Sequence, residues 1–196
     1  MQLTINEHSS SSYAPRTYHN AYSAELTIAF AVDFNTAGEK LTKKAALTKG
    51  NLAYLPIDIN SDSIQAGRAL YVACKRPEKL PEPYRVNTLN VAGNGAYTLV
   101  KYGFDQSKIN RYVYDVIAMV HAHHPFTKIV SGGQTGIDIA GAIAGLALDI
   151  PVELTYPKDL KIRNLKNQDI DQTEDEIRHF VEMCKDRTCS IMYVSI

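Results

Sequence analysis

Lys128-Ile129-Val130-Ser131-Gly132-Gly133-Gln134-Thr135-Gly136-Ile137-Asp138 is the stretch whose reading decides the fold. Lys128 to Ser131 predicts a short strand, and Gly136 to Leu148 a helix rich in small residues. Ala140, Gly141, Ala142, Ala144 and Gly145 let that helix lie close on a sheet. The glycines between strand and helix permit positive φ and close approach of a ligand to the backbone. A helix amino end leaves N–H groups without internal partners and carries about half a positive charge, so such a turn suits a phosphate. The spacing is neither GxxxxGK[ST], since Ile137 follows Gly136, nor GxGxxG. That excludes a Walker site and gives no support to a dinucleotide fingerprint.

Outward from this turn, strands and helices alternate. Upstream, Val86 to Ala92 predicts a strand that ends in a second glycine turn, Gly93-Asn94-Gly95. Asp105 or Ser107 caps a helix whose apolar residues Ile109, Tyr112, Val113, Val116, Ile117 and Val120 share one face; Pro125 closes it. If the two predicted strands are neighbours, a right-handed crossover puts both glycine turns at one edge of the sheet. Downstream, Pro151 to Tyr156 reads as a strand. Thr173 and Glu176 have capping-box spacing before a helix burying Ile177, Phe180, Val181 and Cys184, and Cys189 to Val194 reads as a terminal strand.

The first third is less regular. Residues 1–20 read as a loose end. Glu25 to Phe34 and Leu52 to Ile59 predict strands, with Pro56 pointing to an edge. Ser61 or Asp62 caps a helix carrying Ile64, Gly67, Leu70, Tyr71 and Cys74, and Pro77, Pro81 and Pro83 force a loop. The fold class is α/β, with a mainly parallel sheet and helices on both faces. One domain spans 1–196, divided into a variable N-terminal part, 1–85, and a regular core, 86–196.

Composition narrows the function classes. Lys plus Arg and Asp plus Glu both number 21, which weighs against nonspecific nucleic-acid binding. Cys74, Cys184 and Cys189 form no metal or disulfide spacing and read as reduced cytosolic thiols. The start lacks a signal-peptide pattern, and no apolar run approaches the roughly 20 residues that span a bilayer, so a cytoplasmic location without membrane attachment is expected.

Several side chains are candidates for chemistry. Asp138 is either an acid that the helix dipole favours or a cleft carboxylate that grips ribose hydroxyls or acts as a base. Lys158 follows the strand at Val152 to Tyr156 and is placed to neutralise a phosphate; Lys161 and Arg163 read as a solvated loop. His121, His123 and His124 end a helix at the opposite sheet edge with no acidic or thiol partners nearby, so no metal site is expected, and no cofactor. Lys40, Lys43, Lys44 and Lys49 form either a solvated face or a lid over an anion. Arg16, Tyr18, His19 and Tyr22 could stack a base and pair a phosphate, or pack an arm on a dimer partner.

The string Ile129 to Asp138, the Ala/Gly-rich helix, Ile150-Pro151-Val152 and Tyr156-Pro157-Lys158 together resemble the SLOG superfamily, the Lonely-Guy and DprA-type group. The closest likeness is to its molybdenum-carrier branch, which carries SGGQTG(I/V)D. It covers about residues 128–160, extends as element order over 86–196, and does not reach 1–85. The resemblance implies a Rossmann-like fold, a nucleotide-derived ligand and a homodimer. The glutamate-bearing PGGxGTxxE string of the Lonely-Guy enzymes is absent, and with it the basis for phosphoribohydrolase activity.

The expected function is binding of a nucleotide or nucleotide-sugar-type phosphorylated small molecule, for sensing or sequestration. The expected ligand-binding residues are Gly93, Asn94, Gly95, Ser131, Gly132, Gly133, Gln134, Thr135, Gly136 and Lys158. The alternative is a hydrolase or transferase that cleaves an N-glycosidic or phosphoester bond, with Asp138 as its catalytic group.

Overall fold

The computed structural model describes residues 3–49, 54–75 and 86–192. In chain order the elements are β1 (Leu3–Glu7), α1 (Tyr13–Tyr22), β2 (Leu26–Ala31), α2 (Ala37–Lys49), β3 (Tyr54–Asp58) and α3 (Ser63–Lys75). There follow β4 (Thr88–Gly93), α4 (Ala96–Leu99), α5 (Gln106–His121), β5 (Lys128–Ser131), α6 (Ile137–Ala147), β6 (Val152–Tyr156), β7 (Ile162–Arg163), β8 (Asp169–Ile170) and α7 (Glu174–Met192). The main sheet has six strands in the order β1-β6-β5-β4-β2-β3, and every pairing in it is parallel. The short β7 and β8 pair separately and antiparallel.

Local sequence accounts for most of these elements. Asp62 accepts from the N–H groups of Ile64 and Gln65 and starts α3; Asp105 accepts from Lys108 and starts α5. Thr173 and Glu176 exchange side-chain and backbone bonds at the start of α7, as their spacing predicts. Pro56 lies in β3, an edge strand, where a missing N–H costs least.

Two sequence expectations fail. Residues 1–20 are not a loose end: Leu3–Glu7 adds an edge strand along β6, and Tyr13–Tyr22 is a helix that Ser12 caps. The polar surface of this segment hid a strand whose partner lies far away in the chain. Of the expected terminal strand Cys189 to Val194, the described part, Cys189 to Met192, is helical, because α7 runs on through Met192; the helix already under way outweighs a short β-rich run. The proline loop at 77–83 lies outside the described residues.

The sheet carries helices on both faces. α1 packs on α2 on one side, while α3, α5, α6 and α7 pack in series on the other. On β4 the division falls residue by residue: Val91 meets Gly141 of α6, whereas Asn90 and Ala92 point into the space bounded by α1 and α2. Without β1, the strand order β3-β2-β4-β5-β6 reverses direction between β2 and β4. The chain leaves β2 toward α2 and leaves β4 toward α5, on opposite faces. That divergence opens a crevice at the carboxyl ends of these strands, where ligands bind in open α/β sheets.

Candidate functional site

A cavity of about 500 Å³ fills this crevice, a size typical of small-molecule sites. Asn90 and Ala92 of β4 form its floor. Tyr13, Arg16, Thr17 and Asn20, one face of α1, form a wall, and Thr36 to Glu39 with Leu41 and Thr42 form the other. Gly93-Asn94-Gly95 and Gly132, Gln134 and Thr135 form the rim, with Arg163 and Asn167 beyond.

The two glycine turns meet. β4 and β5 are adjacent and parallel, and Gly95 forms an antiparallel bridge with Gly136. Ala96 N–H donates to Thr135 O at 3.0 Å, and Ile137 N–H to Asn94 O at 3.3 Å. Gly136 sits at φ +97°, and a Cβ there would lie 2.6 Å from Asn94 O and from Ala96 N. Only glycine allows the turns to come this close. Gln106 closes the joint from outside: its Oε1 accepts from Gly136 N–H and its Nε2 donates to Gly136 O, both at 2.9 Å.

Inside the joint lies a buried ion pair. Arg16 Nη1 stands 3.2 Å from Asp138 Oδ2, and both side chains are about one-tenth exposed. The N–H groups of Gln134 and Gly93 also point to the Asp138 carboxyl. Asp138 therefore occupies the amino end of α6 as the protein's own anion. Burial pushes its carboxyl above the usual range, against the pull of Arg16 and the two amides.

Several expected ligand contacts are committed elsewhere. Asn94 accepts from the N–H groups of Val32 and Asp33 at 2.9 and 3.1 Å and donates to Asp33 O and to Glu39 Oε1. It latches the loop after β2 onto the turn after β4. Gln134 donates to Lys161 O and accepts from Arg163 N–H, and Thr135 donates to Arg163 O. These side chains hold β7 over the cleft mouth. Ser131 Oγ lies 2.7 Å from Val91 O and 2.9 Å from Asp138 O, behind the cleft. Gly133 is backed by the Tyr156 ring. Lys158 is exposed, its N–H bonds Ser10 O, and it does not line the cavity.

The sequence reading missed Glu39, and Asn20 with it. Thr36 and Glu39 have capping-box spacing, and Thr36 Oγ1 does accept from Glu39 N–H at 3.2 Å. The Glu39 carboxyl turns inward instead of back to the cap: its residue is 2 % exposed, and Asn94 Nδ2 donates to its Oε1 at 3.3 Å. Burial, reinforced by the nearby Asp138 and Asp33, raises its pKa to about 8. Arg163, read from the sequence as a solvated residue, lines the mouth, pairs with Asp169 at 2.9 Å and lies over the Tyr13 ring. Tyr13 also donates to Asp169, and burial pushes its hydroxyl up to about 12.

The three histidines lie at the other edge, where a His124 ring nitrogen is 2.7 Å from Val86 O just ahead of β4. Lys40, Lys43 and Lys44 are exposed on α2, outside the cleft lining. Among the described residues no helix is long and apolar enough to cross a membrane.

No family model, curated protein or solved structure matches the chain.

Proposed function

We propose that the protein binds a nucleotide or nucleotide-sugar-type phosphorylated small molecule in this cleft and senses or sequesters it. The observation that carries the reading is a cavity of about 500 Å³ bounded at once by two joined glycine turns and by the amino end of α2. Asp138 already closes the amino end of α6, so the phosphate seat shifts to the mouth. There Ala37 and Gly38 of α2, Gly95 and the Arg163 guanidinium line the same space. The likeness of residues 128–160 to the SLOG superfamily supports the ligand class.

Binding is favoured over turnover because Asp138, the sequence candidate for an acid or base, is held by Arg16 and two amides. One observation favours a hydrolase or transferase instead: Glu39 brings a second carboxyl to the cleft, with Oε2 unpartnered among the described residues. Incubation with nucleoside monophosphates and diphosphates, nucleotide sugars and ADP-ribose separates the two. Recovery of one equivalent of intact ligand after heat release supports binding, and conversion beyond one equivalent supports catalysis. If no anion of this panel binds, the reading fails.

A further inference from the structure

Three side chains that line the cleft carry a buried polar atom with no hydrogen-bond partner among the described residues: Arg16 Nε, Asn20 Oδ1 and Glu39 Oε2. Buried polar atoms are nearly always paired, and one left unpaired costs stability. Three at one cavity mark a place built for something else to complete. Arg16 and Asn20 are one turn apart on α1, and Glu39 stands in the first turn of α2 across from them. Asn90, on the floor, precedes Gly93 by three strand residues, about 10 Å along β4. Glu39, next to Gly38, bonds Asn94, and Arg16 lies against Gly132, so both stand just under the glycine turns, with Asn20 one helical turn farther along α1.

Glu39 has no cation to balance it. Its Oε1 accepts from Asn94 Nδ2, the charged groups that act on it are Asp138 and Asp33, and no ion pair includes it among the described residues. On its own helix Lys40 points to solvent, Arg16 is spent on Asp138, and the Tyr54 hydroxyl is the remaining titratable group that feels it. The α2 dipole favours the anion by at most a modest amount. A buried carboxyl in such company holds its proton. With Oε1 accepting from Asn94, the proton resides on Oε2, which then is a donor. Resting on the nucleotide reading above, we propose that these three groups under the glycine turns form a subsite for the uncharged hydrogen-bonding edge of the ligand, in which Glu39 donates from Oε2 as a neutral acid, Arg16 Nε donates, and Asn20 Oδ1 accepts. The complementary group offers two acceptors and one donor, as the ring nitrogens or carbonyls and the N–H of a nucleobase edge do.

The test is calorimetric titration of the full chain with AMP, UMP, CMP and GMP at pH 7, 8 and 9, where the nucleotide phosphate stays a dianion. At least one should bind, and its affinity should fall about tenfold between pH 7 and 9 as Glu39 loses the donating proton. Glu39→Gln, which keeps a donor without a titrating proton, should stay within about threefold of the parent at pH 7 and lose the pH dependence. Glu39→Ala should weaken binding at least tenfold, with thermal unfolding showing that both variants fold. Binding that rises with pH, or Glu39→Gln as weak as Glu39→Ala, overturns the neutral-acid role while leaving the nucleotide reading intact. GMP preferred over the other three overturns the two-acceptor edge, since the Watson–Crick edge of guanine offers two donors and one acceptor. If none of the four binds, the subsite falls, and the nucleotide reading then rests on the diphosphates, nucleotide sugars and ADP-ribose.

Discussion

Arg16 and Asp138, separated by 122 positions in the chain, meet at 3.2 Å beneath the first glycine turn. This pair ties α1 to the amino end of α6 and so fixes one wall of the cleft against its rim. Gly132 belongs to the same arrangement: a Cβ there would collide with the Arg16 guanidinium and the Asp138 carboxylate.

Arg16→Met should destabilise the protein by about 3–5 kcal/mol, because it leaves Asp138 buried without its counter-charge. The double variant Arg16→Met with Asp138→Asn should recover a large part of that loss. Urea unfolding of the four proteins in the cycle measures the coupling. Additive effects would mean that the pair contributes nothing as a pair.

Gln134→Ala removes two of the three side-chain bonds from this turn to the β7 segment and leaves that of Thr135 to Arg163 O. The expected cost is about 1–3 kcal/mol. Hydrogen exchange should show faster opening confined to residues near 161–170, and ligand affinity should fall because Arg163 is no longer held at the mouth. Unchanged protection there would show that the Thr135 bond and the Arg163–Asp169 pair hold the segment without Gln134.

Gly95 gives a way to block the cleft without disturbing the joint. A Cβ at this position meets only Thr135 O, at 3.6 Å, so Gly95→Ala should fold as the parent does. Gly95→Leu should keep the same melting temperature within a few degrees while its side chain enters the cavity and lowers ligand affinity at least tenfold. Undiminished binding by Gly95→Leu would place the ligand elsewhere.

Glu39 makes stability depend on pH. Its folded pKa, about 8, lies above its ordinary 4.5, so the folded state holds the proton that the unfolded chain releases. The contribution is complete below about 4.5 and is lost as pH rises toward 8, at a slope of about 1.4 kcal/mol per pH unit. Glu39→Gln should remove that slope and leave the variant the more stable protein at pH 8 and above. Chemical denaturation at pH 5, 6.5 and 8 reads both effects.

The α/β class, the parallel sheet, the caps at Asp62, Asp105 and Thr173, and the glycine turns after β4 and β5 were legible in the sequence. They rest on local patterns: apolar periodicity, cap spacing and glycine punctuation act over a few residues. The edge strand β1 was not legible, because five residues become a strand only when a distant partner, β6, supplies their hydrogen bonds. Nor was the site chemistry. Which of Asn94, Gln134 and Thr135 faces a ligand and which bonds its own backbone depends on loops that meet after folding.

By itself the sequence determined that two strands would each end in a glycine turn; that the turns share one sheet edge followed only once the structure showed those parallel strands to be neighbours. Only the tertiary structure decided what those turns do. It filled the amino end of α6 with Asp138, paired that carboxylate with Arg16 from the N-terminal segment, and turned Glu39 from a helix cap into a buried acid at the cleft. The physical reason is that charge and hydrogen-bond balance in a buried site is settled by groups brought together across the chain, whereas turn chemistry is settled within it.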